Sequence, residues 1–169
     1  MGKYLSYFEK EKSIKDLISN IKPVKMTLKD LPQIIEIYKS YWGNEGLYKN
    51  IVFEKIINQN LSYVYKIKNK VIAFCLIHYN SKKDLVGIDL LCVKKEFKGN
   101  HLGYSLLSFC INNCKNLNHK YFYLHVSPEN IAAFNLYKKA GFTVNSFIKN
   151  YYKDKNSKNN DAYYMTLNA

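Results

Sequence analysis

Lys98-Gly99-Asn100-His101-Leu102-Gly103 forms a short basic loop between an apolar run, Leu90 to Val93, and an amphipathic helix pattern. A strand-loop-helix of this kind aims backbone N–H groups and the positive end of a helix dipole at one spot, which suits a phosphate or pyrophosphate. His125 stands in the otherwise apolar-aromatic run Tyr121 to Val126. An imidazole, with a reference pKa of about 6.5, can accept a proton near neutral pH, directly or through one water. Its alternative is a half-buried ring satisfied by a backbone group. Tyr137 follows in a second helix pattern, Asn130 to Lys139, which ends in Ala140-Gly141-Phe142. One stretch, residues 93–142, thus holds an anion cradle, a titratable base and a phenol.

The elements that must hold these groups can be read from pattern and punctuation. Residues 1–22 are charged and weakly helical and end at Pro23, so they read as an N-terminal arm or extra helix ahead of a domain over residues 23–169. Val24 to Thr27 reads as a short strand. Thr27 can cap a helix from about Leu28 to Trp42, with Leu31, Ile34, Ile35 and Tyr38 on one face and Pro32 in its first turns. Gly43-Asn44-Glu45-Gly46 breaks that pattern, and Val52 to Asn58 reads as a second short helix. Strands are expected over Ser62 to Ile67, Val71 to Tyr79 and Leu85 to Val93, with turns at Asn69-Lys70 and at Asn80 to Lys83. The strand Tyr121 to Val126 and the helix after it lead to two last strands, Thr143 to Tyr152 and Ala162 to Leu167. Between these lies a polar hairpin loop, Lys153 to Asn160. The order β-α-α-β-β-β-α-β-α-β-β predicts a single α/β (α+β) domain, a mixed sheet flanked by helices, without internal repeat.

Composition removes several function classes. No apolar run approaches the roughly 18 residues of a membrane span, and Met1 to Ile21 has no secretory pattern. The chain reads as a soluble cytoplasmic protein. Met1-Gly2-Lys3-Tyr4-Leu5-Ser6 fits the loose myristoylation pattern, but a lysine straight after the glycine fits it poorly. The net charge of +13 comes entirely from lysine, without one arginine, and is spread along the chain. Arginine is the preferred reader of phosphates and base edges, so a solvated lysine-rich surface is expected rather than a specific nucleic-acid site. Cys75, Cys92, Cys110 and Cys114 include no C-x-x-C and read as reduced, half-buried thiols, and the four histidines have no ligand spacing, so no metal is expected.

This order of elements resembles the GNAT superfamily of acyl-CoA-dependent N-acetyltransferases from about Val24 to Leu167. The most specific parts are FKGNHLG feeding YSLLSFCINNC, and ENIAAFNLYKKAGF. YLHV, KNYYKD and DAYYMTL look most like the protein N-terminal (alpha-amino) acetyltransferases, including the ribosomal-protein-alanine type and its eukaryotic relatives. The resemblance implies a seven-stranded central sheet, about four flanking helices and acetyl-CoA as co-substrate. The family's loop is usually Arg/Gln-x-x-Gly-x-Gly/Ala. Here Lys98 takes the first position, His101 replaces the first glycine, and Gly103 matches. Some eukaryotic relatives carry a tyrosine near the middle of the fourth strand, where this chain has Gly87.

Carried onto this chain, the resemblance assigns the cofactor's pantetheine arm to the backbone of Leu91, Cys92 and Val93. Its pyrophosphate falls to the amides of Lys98, Gly99, Asn100, His101, Leu102, Gly103 and Tyr104. Strand four should splay from strand five to admit the arm, a job often done by a bulge. His125 stands where alanine-acetylating relatives carry a glutamate base. Tyr137 matches the tyrosine beside the cofactor sulfur, where a phenol can protonate a leaving thiolate of pKa about 8.5; its alternative is aromatic packing. Asn130 can cap its helix and hydrogen-bond the cofactor. Tyr151 and Tyr152 match a pair bordering the peptide groove, or are strand-end aromatics. Trp42, Asn44 and Glu45 are placed to form the opposite wall.

An α-amino group has a pKa near about 8 and a lysine side chain near about 10.4, so freeing the lysine at neutral pH costs roughly 3 to 4 kcal/mol more. This favours a protein or peptide N-terminus as acceptor, with a ribosome or an auxiliary subunit as candidate partners. A small-molecule amine or lysine acetyltransferase is the second reading, and a non-catalytic acyl-CoA-binding module the third.

Overall fold

A computed structural model describes residues 14–43, 50–152 and 160–169 of the chain, without the side chains of Asn50 and Ile51. Asn44, Glu45, Gly2 and most of Lys153 to Asn160 lie outside them. Seven strands, β1 (Val24–Lys25), β2 (Tyr63–Ile67), β3 (Lys70–Asn80), β4 (Leu85–Val93), β5 (Tyr121–Val126), β6 (Thr143–Ile148) and β7 (Ala162–Asn168), form one sheet in the order β1-β2-β3-β4-β5-β7-β6. The sheet is flanked by α1 (Leu31–Trp42), α2 (Asn50–Ile57), α3 (Leu102–Asn116) and α4 (Ile131–Lys139). Residues 14–18 add a helical turn, and Ile18 and Ile21 pack on the core, so the tail of the expected arm is docked. The predicted order and the mixed seven-stranded sheet are both found.

Three local differences have physical reasons. The helix expected from Leu28 opens as a 3-10 turn, Leu28–Asp30, because Thr27 N–H and its hydroxyl both donate to the Asp30 carboxylate, which also pairs with Lys66 at 2.6 Å. The first hairpin turns at Lys68 and Asn69, both left-handed, rather than at Asn69 and Lys70. The strand expected to run through Tyr152 stops at Ile148, because Asn150 takes φ of 52° and its N–H bonds Asp161 across the hairpin. Tyr151 and Tyr152 therefore sit past the strand, where Tyr152 N–H reaches the Asn160 carbonyl at 2.8 Å.

Helices cover the two faces of the sheet unequally. On one face Leu106, Leu107, Cys110 and Cys114 of α3 bury Ile77, Val86, Phe122, Leu124 and Met165, with Tyr137 of α4 in the same core. On the other, Ile34, Ile37 and Tyr38 of α1 and Phe53, Ile56 and Ile57 of α2 cover Val64, Phe74, Leu76, Leu90 and Cys92. The strand residues of that second core come from β2, β3 and β4 alone. Among the described residues the second face of β5, β7 and β6 thus carries no packed helix, and Tyr123, His125 and Tyr164 stand on it only half-buried. All four thiols are buried outright rather than half-buried. Burial also pushes that of Cys114 up to about 12, which keeps it protonated.

Candidate active site

The site forms where β4 and β5 part. Among the described residues they are the one parallel pair in the sheet, joined only at Val86 opposite Phe122 and Gly87 opposite Tyr123. Beyond that point β4 carries a bulge. Leu76 pairs with Leu90 and Ile77 with Ile88, so Asp89 is an extra residue that bends β4 away. Lys94 N–H donates to the Ile72 carbonyl at 2.8 Å, and Phe74 lies opposite Cys92. Antiparallel alternation then turns the backbone groups of Cys92 toward β3, and those of Leu91 and Val93 toward the gap. The hydroxyl of Tyr41, a residue the sequence reading passed over, donates to the Val93 carbonyl at 2.6 Å.

At the end of the gap the loop turns into α3. Gly99 has φ of 80° and His101, the N-cap, has φ of 58°, so two left-handed residues coil the chain into the helix. The first helical bond runs from Ser105 N–H to the His101 carbonyl. The amides of Leu102, Gly103 and Tyr104 therefore have no intrahelical acceptor, and His101 adds no side-chain cap. That row of N–H groups fits a pyrophosphate. The His101 side chain is exposed. Asn100 ties the loop to itself, bonding the carbonyls of Phe97 and Lys98. Lys98 lies over the Tyr41 ring, 4.7 Å from its centroid. Gly103 is buried, and a Cβ there would meet Leu136 at 3.3 Å and Val93 at 3.6 Å. Its small size therefore lets α3 pack close to α4 and to the end of β4.

Tyr137 is buried, and burial raises its phenol well above the usual range, with the Cys75 and Cys92 thiols and the Tyr152 phenol adding to the shift. It is held as a neutral hydroxyl. Asn130 caps α4, its side chain accepting from Ala133 N–H at 3.2 Å.

On the uncovered face His125 stacks on Tyr151, with ring centroids 4.1 Å apart, and touches Tyr164 at 5.2 Å and Tyr123 at 6.0 Å. Burial pulls its imidazole below the ordinary value, against an opposing pull from Asp89. Beside it lies a group that the sequence reading missed. His78 Nδ1 meets the Asp89 carboxylate at 2.6 Å, and its Nε2 meets the Tyr123 hydroxyl at 3.0 Å. The Asp89 bond raises the His78 imidazole, outweighing burial. Burial pushes Tyr152 up to about 12, helped by Tyr151. Trp42 is exposed at the end of α1, against Tyr38 and Tyr41 of its own helix, and is the part of the expected opposite wall that the described residues include.

Gly87 explains how His78 fits. A Cβ at this position would lie 2.3 Å from His78 Cε1 and 2.8 Å from Nδ1. The ring from β3 thus occupies the space a side chain on β4 would take. Gly87→Ala is expected to destabilise the fold by about 1 to 3 kcal/mol, the usual range for overpacking. Removing the ring in the double variant Gly87→Ala/His78→Ala should restore part of the thermal midpoint. A Gly87→Ala protein that melts with the wild type would show that the ring moves freely aside.

The parallel pair β4 and β5 thus parts beside the uncapped start of α3, with the buried Tyr137 phenol on one side and the His125 and His78 imidazoles on the other. Residues 31–142 match the acetyltransferase (GNAT) family, and the chain belongs to that family. It is an acetyl-CoA-dependent acetyltransferase. It is 28% identical over 144 residues, 85% of this chain and 93% of the other, to a Bacillus subtilis (strain 168) protein named for alanine N-acetylation of ribosomal protein bS18. Its fold matches Ard1 from Thermoplasma volcanium with a TM-score of 0.77, at 22% identity over 88% of this chain and 97% of that one. It also matches Arabidopsis thaliana Naa50, solved with the bisubstrate analogue CoA-Ac-MVNAL, with a TM-score of 0.76 at 22% identity over 88% and 99% of the two chains.

Proposed function

We propose that the protein transfers the acetyl group of acetyl-CoA to the α-amino group of a protein or peptide N-terminus. The observation that carries this is His125, stacked on Tyr151 on the uncovered face where β4 and β5 part. An open aromatic face suits an extended chain end that brings its nitrogen to an imidazole. The names of the Bacillus subtilis and Arabidopsis thaliana relatives support the same acceptor class. In this reading the pantetheine arm pairs with Leu91 and Val93, while Cys92 anchors the strand. The pyrophosphate lies on the amides of Leu102, Gly103 and Tyr104, with Lys98 to His101 shaping the loop and Asn130 bordering the cofactor. His125 takes a proton from the attacking nitrogen. The nitrogen attacks the thioester carbonyl, the carbon–sulfur bond breaks, and Tyr137 supports the departing thiolate. Tyr151, Tyr152 and Trp42 border the acceptor. Among the described residues no helix is long and apolar enough to cross a membrane.

Acetyl transfer to short peptides with varied first residues, beside a lysine side-chain peptide and spermidine, tests the reading. Free N-termini are expected to give the highest kcat/KM, and acetyl-CoA should raise the thermal midpoint. At a hundredfold excess over its dissociation constant it adds about 2.7 kcal/mol. Preference for spermidine or for lysine side chains would replace the proposed acceptor. A melting curve unmoved by millimolar acetyl-CoA would remove the cofactor placement.

A further inference from the structure

We propose that Asp89, His78 and Tyr123 form a proton-exit chain for the incoming amine, separate from His125. The inference rests on the reading that the acceptor is an amine. Three adjacent strands supply the chain: His78 from β3, Asp89 from the bulge of β4, and Tyr123 from β5 at the last point where β4 and β5 pair. Gly87 leaves the space that His78 fills.

The hydrogen bonds fix a direction. An ionised carboxylate can only accept, so His78 donates its Nδ1 hydrogen to Asp89. While the imidazole is neutral its Nε2 is then an acceptor, and Tyr123 donates its hydroxyl hydrogen to it. The Tyr123 oxygen keeps lone pairs for an ammonium. Transfer moves one hydrogen from the ammonium to the Tyr123 oxygen while Tyr123's own hydrogen passes to His78 Nε2. The products are a neutral amine and an imidazolium beside the Asp89 carboxylate. The His78 side chain is 25% exposed, so the proton can leave to water.

Proton count gives this chain a job that His125 does not fill. An α-ammonium loses two protons in becoming an amide: one before attack, and one from the tetrahedral adduct. The leaving sulfur takes up one, and the net product is one released proton. The ammonium, with a pKa near about 8, needs the acceptor whose cation is stabilised, and that is the carboxylate-backed His78. The adduct's N–H is far more acidic, and His125 suffices for it although burial lowers its basicity. Among the described residues, Asp89 and Tyr123 face His78, while Tyr151 and Tyr164 stand beside Tyr123 and His125. Asp89 is the charge that acts on His125, Tyr123 and Tyr151 together.

The test is kcat/KM against pH, from about pH 6 to about pH 9.5, for wild type, His78→Gln, Tyr123→Phe, their double variant and Asp89→Asn. About a tenth of an α-amine is already neutral at neutral pH, so losing the chain should cost up to about tenfold there. The cost should grow as pH falls from the amine's own pKa to the point where His78 is itself protonated, and vanish above the amine's pKa. The double variant should be no worse than either single one, since both block one path. Asp89→Asn should move the acid limb to lower pH, and the His78 ring resonance in a proton NMR titration should move with it. Tyr123→Phe removes a single oxygen, so it serves if the other variants fold poorly. Superimposable profiles, a loss that is the same at every pH, or losses that multiply in the double variant would each overturn the chain. If wild type acetylates only lysine side chains or spermidine, the N-terminal reading falls and the chain is tested on that amine. Its pKa of about 10.4 raises the expected loss to about a thousandfold. A wild type that acetylates no amine overturns both.

Discussion

Replacing Tyr137 with phenylalanine should lower kcat by about 10² to 10³-fold and leave acetyl-CoA affinity nearly unchanged. The phenol is buried, and burial holds it well above its usual range as a neutral hydroxyl. A departing thiolate has a pKa near about 8.5, so complete transfer from so weak an acid is uphill. What Tyr137 can supply at the transition state is a hydrogen bond to the charge growing on sulfur, in a site from which water is excluded. Single preorganised donors of that kind typically contribute about 2.7 to 4 kcal/mol. The ground-state thioester carries no such charge, so the loss should fall on turnover and not on binding. Steady-state kinetics with a separate cofactor titration would show it. A variant with unchanged kcat would reduce Tyr137 to a packing residue against Phe142, its neighbour in the core.

Much of this architecture was written locally in the sequence. The β4 and β5 boundaries, the helix capped by Asn130 and the loop into α3 all follow from apolar alternation, a capping side chain and glycine punctuation. The relay of Asp89, His78 and Tyr123 was not legible, although one signal was present. Asp89 is a charge inside the apolar run LVGIDLLCV, and Gly87 stands two residues before it. What fixes Gly87 lies across the sheet and not along β4: the His78 ring fills the space beside it. Two things decide the arrangement: the pairing of His78 with Gly87, and the one-residue bulge that puts Asp89 beside that ring. Both are facts of register between strands, and no single strand's pattern encodes register. The early end of β6 is similar. Alternation through FIKNYY continues, but the left-handed Asn150, bonded to Asp161 across the hairpin, turns Tyr151 onto His125.

His125→Ala should lower kcat/KM by about 10² to 10⁴-fold, the usual range for a general base. Its pH behaviour should separate it from the His78 variants. A base that only frees the ammonium becomes dispensable once pH passes about 8, because the amine is then neutral without help. The proton on the tetrahedral adduct is different, since it forms after attack and must leave at any pH. His125 is suited to that later proton. Burial lowers its imidazole below the ordinary value, so it is neutral and ready to accept through the neutral and alkaline range. The stack on Tyr151 also holds its ring in one orientation on the open face. The variant's profile should therefore run below the wild type's at every pH from about 7 to 9, with no recovery at the alkaline end. The truncation leaves Tyr151 without its stacking partner, so acceptor KM should rise as well. His125→Gln, which keeps a polar side chain of similar reach, should restore much of KM and little of kcat. If His125→Ala regains wild-type activity above about pH 8 while His78→Gln does not, the two imidazoles have exchanged roles, and the first proton belongs to His125.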